Sequence, residues 1–84
     1  MWEFVVEIED IPARIKWVEK KYGVKLEKVA SRKEAEAFIQ KKSNNPKVVC
    51  GFELHASVCR DEKTRKVLRV EIEVRGGYLH YVAT

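Results

Sequence analysis

From Val48 to Val82 the chain alternates between apolar and polar residues with a period of two. Val48, Cys50, Phe52, Leu54, Ala56 and Val58 alternate with a more polar set. Leu68, Val70, Ile72 and Val74 alternate with Arg69, Glu71, Glu73 and Arg75, and Leu79 and Tyr81 follow Gly76-Gly77. Such a pattern requires a sheet with one buried and one wet face. It predicts one strand carrying Val48 to Cys59, a second over 68–75, and a third over 78–82 entered by a two-residue glycine turn. Matching the apolar sets sets Val58 opposite Leu68, Ala56 opposite Val70, Leu54 opposite Ile72 and Phe52 opposite Val74.

The first half of the chain supplies the layer that covers this sheet. Trp2, Phe4, Val6 and Ile8 alternate with Glu3, Val5, Glu7 and Glu9, which reads as a strand over residues 2–9. Asp10 is placed to cap a helix, and Pro12 suits its first turn. Ile11, Ile15, Val18 and Tyr22 fall on one helical stripe, and Gly23 ends it. Val24 to Ala30 reads as a short strand. Ser31-Arg32-Lys33-Glu34 is a capping box that opens a second helix with Ala35, Phe38 and Ile39 inward. Asn44-Asn45-Pro46 is a turn. The expectation is one α+β domain over residues 1–84, in the order β-α-β-α-β-β-β. It has two layers: a mixed, mostly antiparallel sheet with both helices on one face. Its core would join Phe4, Val6, Ile8, Phe52, Leu54, Val70, Ile72 and Tyr81 to Ile15, Val18, Phe38 and Ile39.

A chain of 84 residues buries only roughly 60–65% of its unfolded surface. A thin core of this kind suits a homodimer. The charge is uneven: residues 10–47 carry eleven basic and five acidic side chains, a net +6, against −3 over residues 1–9 and +1 over residues 48–84. A basic excess of this kind is an argument about partners. Cys50 and Cys59 are expected on one strand, about 30 Å apart, too far to bridge. Free thiols fit a reducing, cytoplasmic setting. No signal peptide opens the chain, and no apolar run approaches the roughly 20 residues of a membrane span. The charged fraction of 36%, rich in Lys and Glu, points to a thermophile.

The predicted order β-α-β-α-β-β on a small basic chain, closed by the long hairpin Val48–Arg75 with tip Arg60-Asp61-Glu62-Lys63-Thr64-Arg65-Lys66, resembles Alba, the archaeal chromatin and RNA-binding family. It is also similar to the C-terminal domain of bacterial translation initiation factor three. The resemblance covers residues 2–75. It implies nucleic-acid binding, with Arg60, Lys63, Arg65 and Lys66 as contacts of a hairpin arm.

Two further constellations carry possible chemistry. Trp17 lies about 120° from the apolar stripe of its helix, beside Arg14, Lys20 and Lys21. A large aromatic among cations suits a nucleic-acid backbone or an oligomer contact. The alternative is that a neighbouring element covers it. On the wet sheet face, the expected register sets Glu53 against Glu73 with His80 beyond, and His55 against Glu71. His55, Glu71, Glu73 and His80 are therefore a candidate zinc or manganese cluster. The competing reading is a solvated face with Arg69 and Arg75 as counter-charges. No nucleophile, base or phosphate loop can be assembled, so no catalytic residue and no cofactor is expected. The sequence therefore reads as a non-enzymatic, cytoplasmic protein that binds DNA or RNA with little sequence preference. Its contacts would be Arg14, Trp17, Lys20, Lys21, Arg60, Lys63, Arg65 and Lys66. The alternative is a protein-interaction module with no nucleic-acid role.

Overall fold

A computed structural model describes residues 10–53 and 55–84. The expected strand 2–9, with Phe4, Val6 and Ile8, lies outside the described residues, as does Leu54. The elements are α1 (Ile11–Tyr22), β1 (Leu26–Val29), α2 (Arg32–Lys42), β2 (Val48–Glu53), β3 (Ala56–Asp61), β4 (Val67–Val74) and β5 (Gly77–Ala83). The protein is thus α+β, and from α1 to α2 helices and strands alternate as the sequence predicts. The strands form one five-stranded sheet in the order β1-β5-β4-β3-β2. Every described pair is antiparallel.

The helices follow their end signals. Pro12 occupies the first turn of α1, and Gly23 ends it in the left-handed region at φ 64°. Asp10 takes the capping position, but its side chain accepts no hydrogen bond from the helix. Ser31 Oγ accepts from Glu34 N at 3.2 Å, and the Glu34 carboxylate accepts from Ala30 N at 3.3 Å.

Three local features revise the expected sheet. First, the strand from Val48 to Cys59 is two strands. The chain reverses between Glu53 and Ala56, where His55 has φ 65°, and β2 folds back on β3. Alternation continues in phase across a tight reversal, so the letters alone do not reveal it. Second, the reversal brings Cys50 directly opposite Cys59, with 4.0 Å between Cα atoms, and the two form a disulfide. The expectation of free thiols was correct only for a straight strand. Third, β3 and β4 pair two residues away from the expected register, Val58 opposite Val70 and Ala56 opposite Ile72. A bulge between Cys59 and Arg60 then sets Val67 opposite Arg60. Val67, not Leu68, enters the core, and Leu68 is half-buried.

The layering also differs. Val18 of α1 packs with Leu26, Ala56, Val58, Val67, Val70, Ile72 and Tyr81, and Ile11, Ile15 and Tyr22 pack against this cluster. α2 instead reaches the opposite face, where Glu71 points. Arg32 at its start grips Glu71, and Ala35 and Ile39 are buried. The reason is topological. α2 joins the two outermost strands of the described sheet and must cross a whole face. Ala35, with no side chain beyond Cβ, suits close packing of α2 on the sheet. Cys59, Arg69, Glu71 and Val82 are consequently buried on the face expected to be wet. Phe52, expected in the core, is 60% exposed on β2. Phe38 is half-buried, on α2 and apart from the α1 cluster.

The buried charges form one network. Arg32 donates to both oxygens of Glu71, Nε at 3.0 Å and Nη2 at 2.8 Å. Arg69 Nη1 lies 3.3 Å from Glu71 Oε1, and His80 Nδ1 lies 3.0 Å from Oε2. The Arg32 hydrogen bonds hold the Glu71 carboxyl below its ordinary value of 4.5, against the opposing effect of burial. A carboxylate whose folded value is lowered stabilises the fold fully above its unfolded value. That stabilisation disappears as pH falls through the folded value. Glu71→Ala should cost about 3–5 kcal/mol, because it leaves buried Arg69 without its counter-charge. Urea midpoints measured between pH 7 and pH 2 should fall below pH 4.5, and Glu71→Gln should flatten that limb of the curve.

Candidate nucleic-acid interface

Three chain reversals meet at one end of the sheet. α1 ends at Gly23, and Val24 N donates to Glu19 O at 3.1 Å. α2 ends at Ser43, whose N–H donates to Ile39 O at 2.9 Å. The third is the β3–β4 turn, organised by Asp61. Its Oδ1 accepts from Lys63 N at 2.7 Å and Thr64 N at 3.2 Å, and its carbonyl accepts from Arg65 N at 2.8 Å. Closing this turn requires Arg65 to adopt φ 66°.

These reversals bound a cleft of about 650 Å³ whose walls include Tyr22, Phe38, Lys42, Arg65, Lys66 and Leu68. No Asp or Glu is among its lining residues. Two helix C-termini, at Gly23 and Ser43, open onto it. Each contributes about half a negative charge. Three cations outweigh that, so the cleft is positive. Lys42 Nζ stands 5.0 Å from the centroid of the Phe38 ring, a cation–π arrangement within the cleft wall. A concave site with cations and ring edges, without Asp or Glu side chains in its lining, is suited to a phosphate joined to an apolar or aromatic body.

Of the residues singled out in the sequence, Arg65 and Lys66 line the cleft, and Lys63 is exposed on the same turn. Arg14, Trp17, Lys20 and Lys63 are not part of its lining. Trp17 is 36% exposed on α1, with Lys21 Nζ 5.0 Å from its ring. Lys20 is exposed and Arg14 half-buried. Lys21 is engaged by Glu53, which also accepts from the Tyr22 hydroxyl. These bonds hold the Glu53 carboxyl down, and the Glu53 bond raises Lys21. Burial first, and the Glu53 bond second, push the Tyr22 hydroxyl up. The Arg60 guanidinium sits 5.7 Å from the Tyr22 ring, so Arg60 and Lys21 both lie against the same aromatic. Sequence reasoning missed Tyr22, Phe38 and Lys42. The helical stripes mark Tyr22 and Phe38 as core residues, and Lys42 reads as one charge among the eleven basic residues of 10–47.

The candidate metal cluster does not assemble. His80 and Glu71 are neighbours, but Glu71 is already held by Arg32 and Arg69. His55 lies in the β2–β3 reversal, and Glu73 pairs with Tyr78. Among the described residues, no group of three or more His, Cys, Asp or Glu is placed to hold a metal ion. Nor, among them, is any helix long and apolar enough to cross a membrane.

No protein-family model matches the chain, and no curated protein or solved structure matches it.

Arg65 allows fold and site to be separated. A left-handed residue other than glycine is strained, so Arg65→Gly should leave the urea midpoint unchanged or raise stability by up to about 1 kcal/mol. The same change removes one of the cleft's three cations. Lower stability would show that the Arg65 side chain is structural.

Proposed function

We propose that this protein binds the phosphate backbone of DNA or RNA with little sequence preference and is not an enzyme. The observation that supports this reading is the cleft that joins Lys42, Arg65 and Lys66 to Tyr22 and Phe38 with no Asp or Glu in its lining. Lys63 on the same turn and Arg60 against the Tyr22 ring add cations beside the cleft, and Arg14, Trp17 and Lys20 on α1 complete the proposed contacts. Lys21 contributes less, because Glu53 compensates it. Side chains alone make these contacts, with no cofactor. The similarity of the predicted element order to Alba and to the initiation factor three domain is in keeping with this role. A homodimer would double the phosphate contacts.

A cytoplasmic setting belongs to the same reading, although the cysteines no longer argue for it. Disulfides are rare in most cytoplasms but frequent inside hyperthermophiles. The Lys- and Glu-rich composition and the bridge therefore agree on such a cell. One observation favours a second reading, a protein-interaction module. β2 stands at the edge of the described sheet with Val48, Val49 and Phe52 exposed. Exposed apolar edge strands pair with other chains.

Salt separates the two. Phosphate contacts release counterions, so affinity for duplex DNA should fall with a slope of about −0.9 per contact in log K against log salt. Gel shifts with duplex DNA, duplex RNA and single strands at several salt concentrations should show this slope. Lys42→Ala and Arg65→Gly should each make it shallower by about 1, equally for all sequences. Trp17→Ala should weaken single strands more than duplexes if its ring stacks on bases. A wild-type protein that binds neither DNA nor RNA at low salt is incompatible with the proposal.

A further inference from the structure

The Cys50–Cys59 bridge lies on the face of the sheet that carries the buried charges. Cys59 is fully buried, whereas Cys50, on the outermost described strand, is exposed. Arg69 is the cross-strand partner of Cys59 on β4, and its Nη2 lies 4.0 Å from Cys50 Sγ. Ser57 Oγ stands 3.9 Å from Cys59 Sγ. A cavity of about 350 Å³ bounded by Glu36, Ile39, Gln40, Pro46, Val48 and Arg69 adjoins this group.

The charges beside the sulfurs do not balance. Among the described residues, Glu71 is the only carboxylate within ion-pair distance of Arg69, and it gives both oxygens to Arg32. The contact left to Arg69 is a single one of 3.3 Å. Glu36, also at the cavity, is exposed to water and screened. Two guanidiniums thus share one carboxylate, and Arg69, 8% exposed, is the cation left short of negative charge. A thiolate formed at Cys50 or Cys59 would supply that charge. A neighbouring cation stabilises a thiolate and makes the corresponding sulfur a better leaving group.

We propose that Cys50–Cys59 is a thiol–disulfide exchange site for a small carboxylate-bearing thiol of the glutathione class, and that Arg69 positions the incoming thiol and stabilises Cys50 when it leaves as a thiolate. The thiolate of the small molecule attacks Cys50 Sγ, the accessible sulfur. The S–S bond breaks, its electron pair leaves with Cys59 Sγ, and a mixed disulfide joins the small thiol to Cys50. A second molecule of thiol attacks the small-molecule sulfur of that mixed disulfide and releases Cys50 as a thiolate. In sum, one protein disulfide and two thiols give a protein dithiol and one small-molecule disulfide. Two electrons pass to the protein, and the two thiol protons pass to its sulfurs or to water. The cavity beside Arg69 has room for such a thiol, with its carboxylate against the guanidinium.

The test is exchange on the folded protein. Wild type is incubated with reduced glutathione or with uncharged 2-mercaptoethanol, quenched in acid, alkylated and analysed by mass spectrometry. The proposal expects native protein to be reduced faster by glutathione than by mercaptoethanol at equal thiolate concentration. It expects that preference to disappear in guanidinium, and the trapped mixed disulfide to sit on Cys50. Arg69→Met should slow exchange about fivefold, whereas Arg69→Lys should retain most of the rate. Mere loosening of the sheet by Arg69→Met would speed exchange instead, so the direction of the effect is diagnostic. Should Arg69→Met fail to fold, the wild-type comparison alone decides. A bridge that reacts only after unfolding, or equally with both thiols, overturns the proposal, as does a mixed disulfide on Cys59.

Discussion

The α2 face of the protein depends on the Glu71 carboxylate. Glu71 is drawn into the interior by the helix that crosses above it, and it remains ionised because Arg32 grips both its oxygens. Two arginines and a histidine converge on it from α2, β4 and β5. A buried ion group of this kind adds little net stability over a well-packed apolar one, but breaking it is costly. Its effect here is positional: it fixes where α2 starts and how the helix lies over β4 and β5. Arg69, held from one side by Glu71, is thereby turned toward the sulfurs of the edge pair.

Much of the fold was legible in the letters. The period of two placed Val70, Ile72 and Tyr81 in the core, the helical stripe placed Val18 there, and Gly23 and Ser31 act at helix ends as their chemistry requires. What the letters hid were changes of phase and of direction. A reversal between Glu53 and Ala56 preserves alternation, and neither Glu53 nor His55 is a turn former. A bulge at Cys59/Arg60 exchanges Val67 for Leu68 with no marker residue. Arg69 and Glu71 are the residues a solvated face would carry, and only the path of α2 buries them. The site was half legible: the charge of the turn was visible, while the partners α1 and α2 bring to it required the third dimension.

The cations gathered near the C-terminal end of α1 differ in electrostatic character accordingly. Lys21 is compensated by Glu53 and held over Trp17 and Tyr22, so its charge serves the fold. Arg65 and Lys66 have no acidic neighbour in the cleft lining. Counting cations along the sequence treats these alike. Only uncompensated charge sets the field an incoming anion meets.

The strand order also has a consequence for synthesis. β1 ends at Val29, yet its only described neighbour is β5, which ends at Ala83. A ribosome adding about 5–20 residues per second needs about 3–10 s to travel between them. During that interval Leu26 and the apolar stripe of α1 have been made, but the strands that will bury them have not. The nascent first half is therefore the stretch most dependent on being shielded, and its lysine-rich composition, with a net +6 over residues 10–47, opposes self-association while it waits.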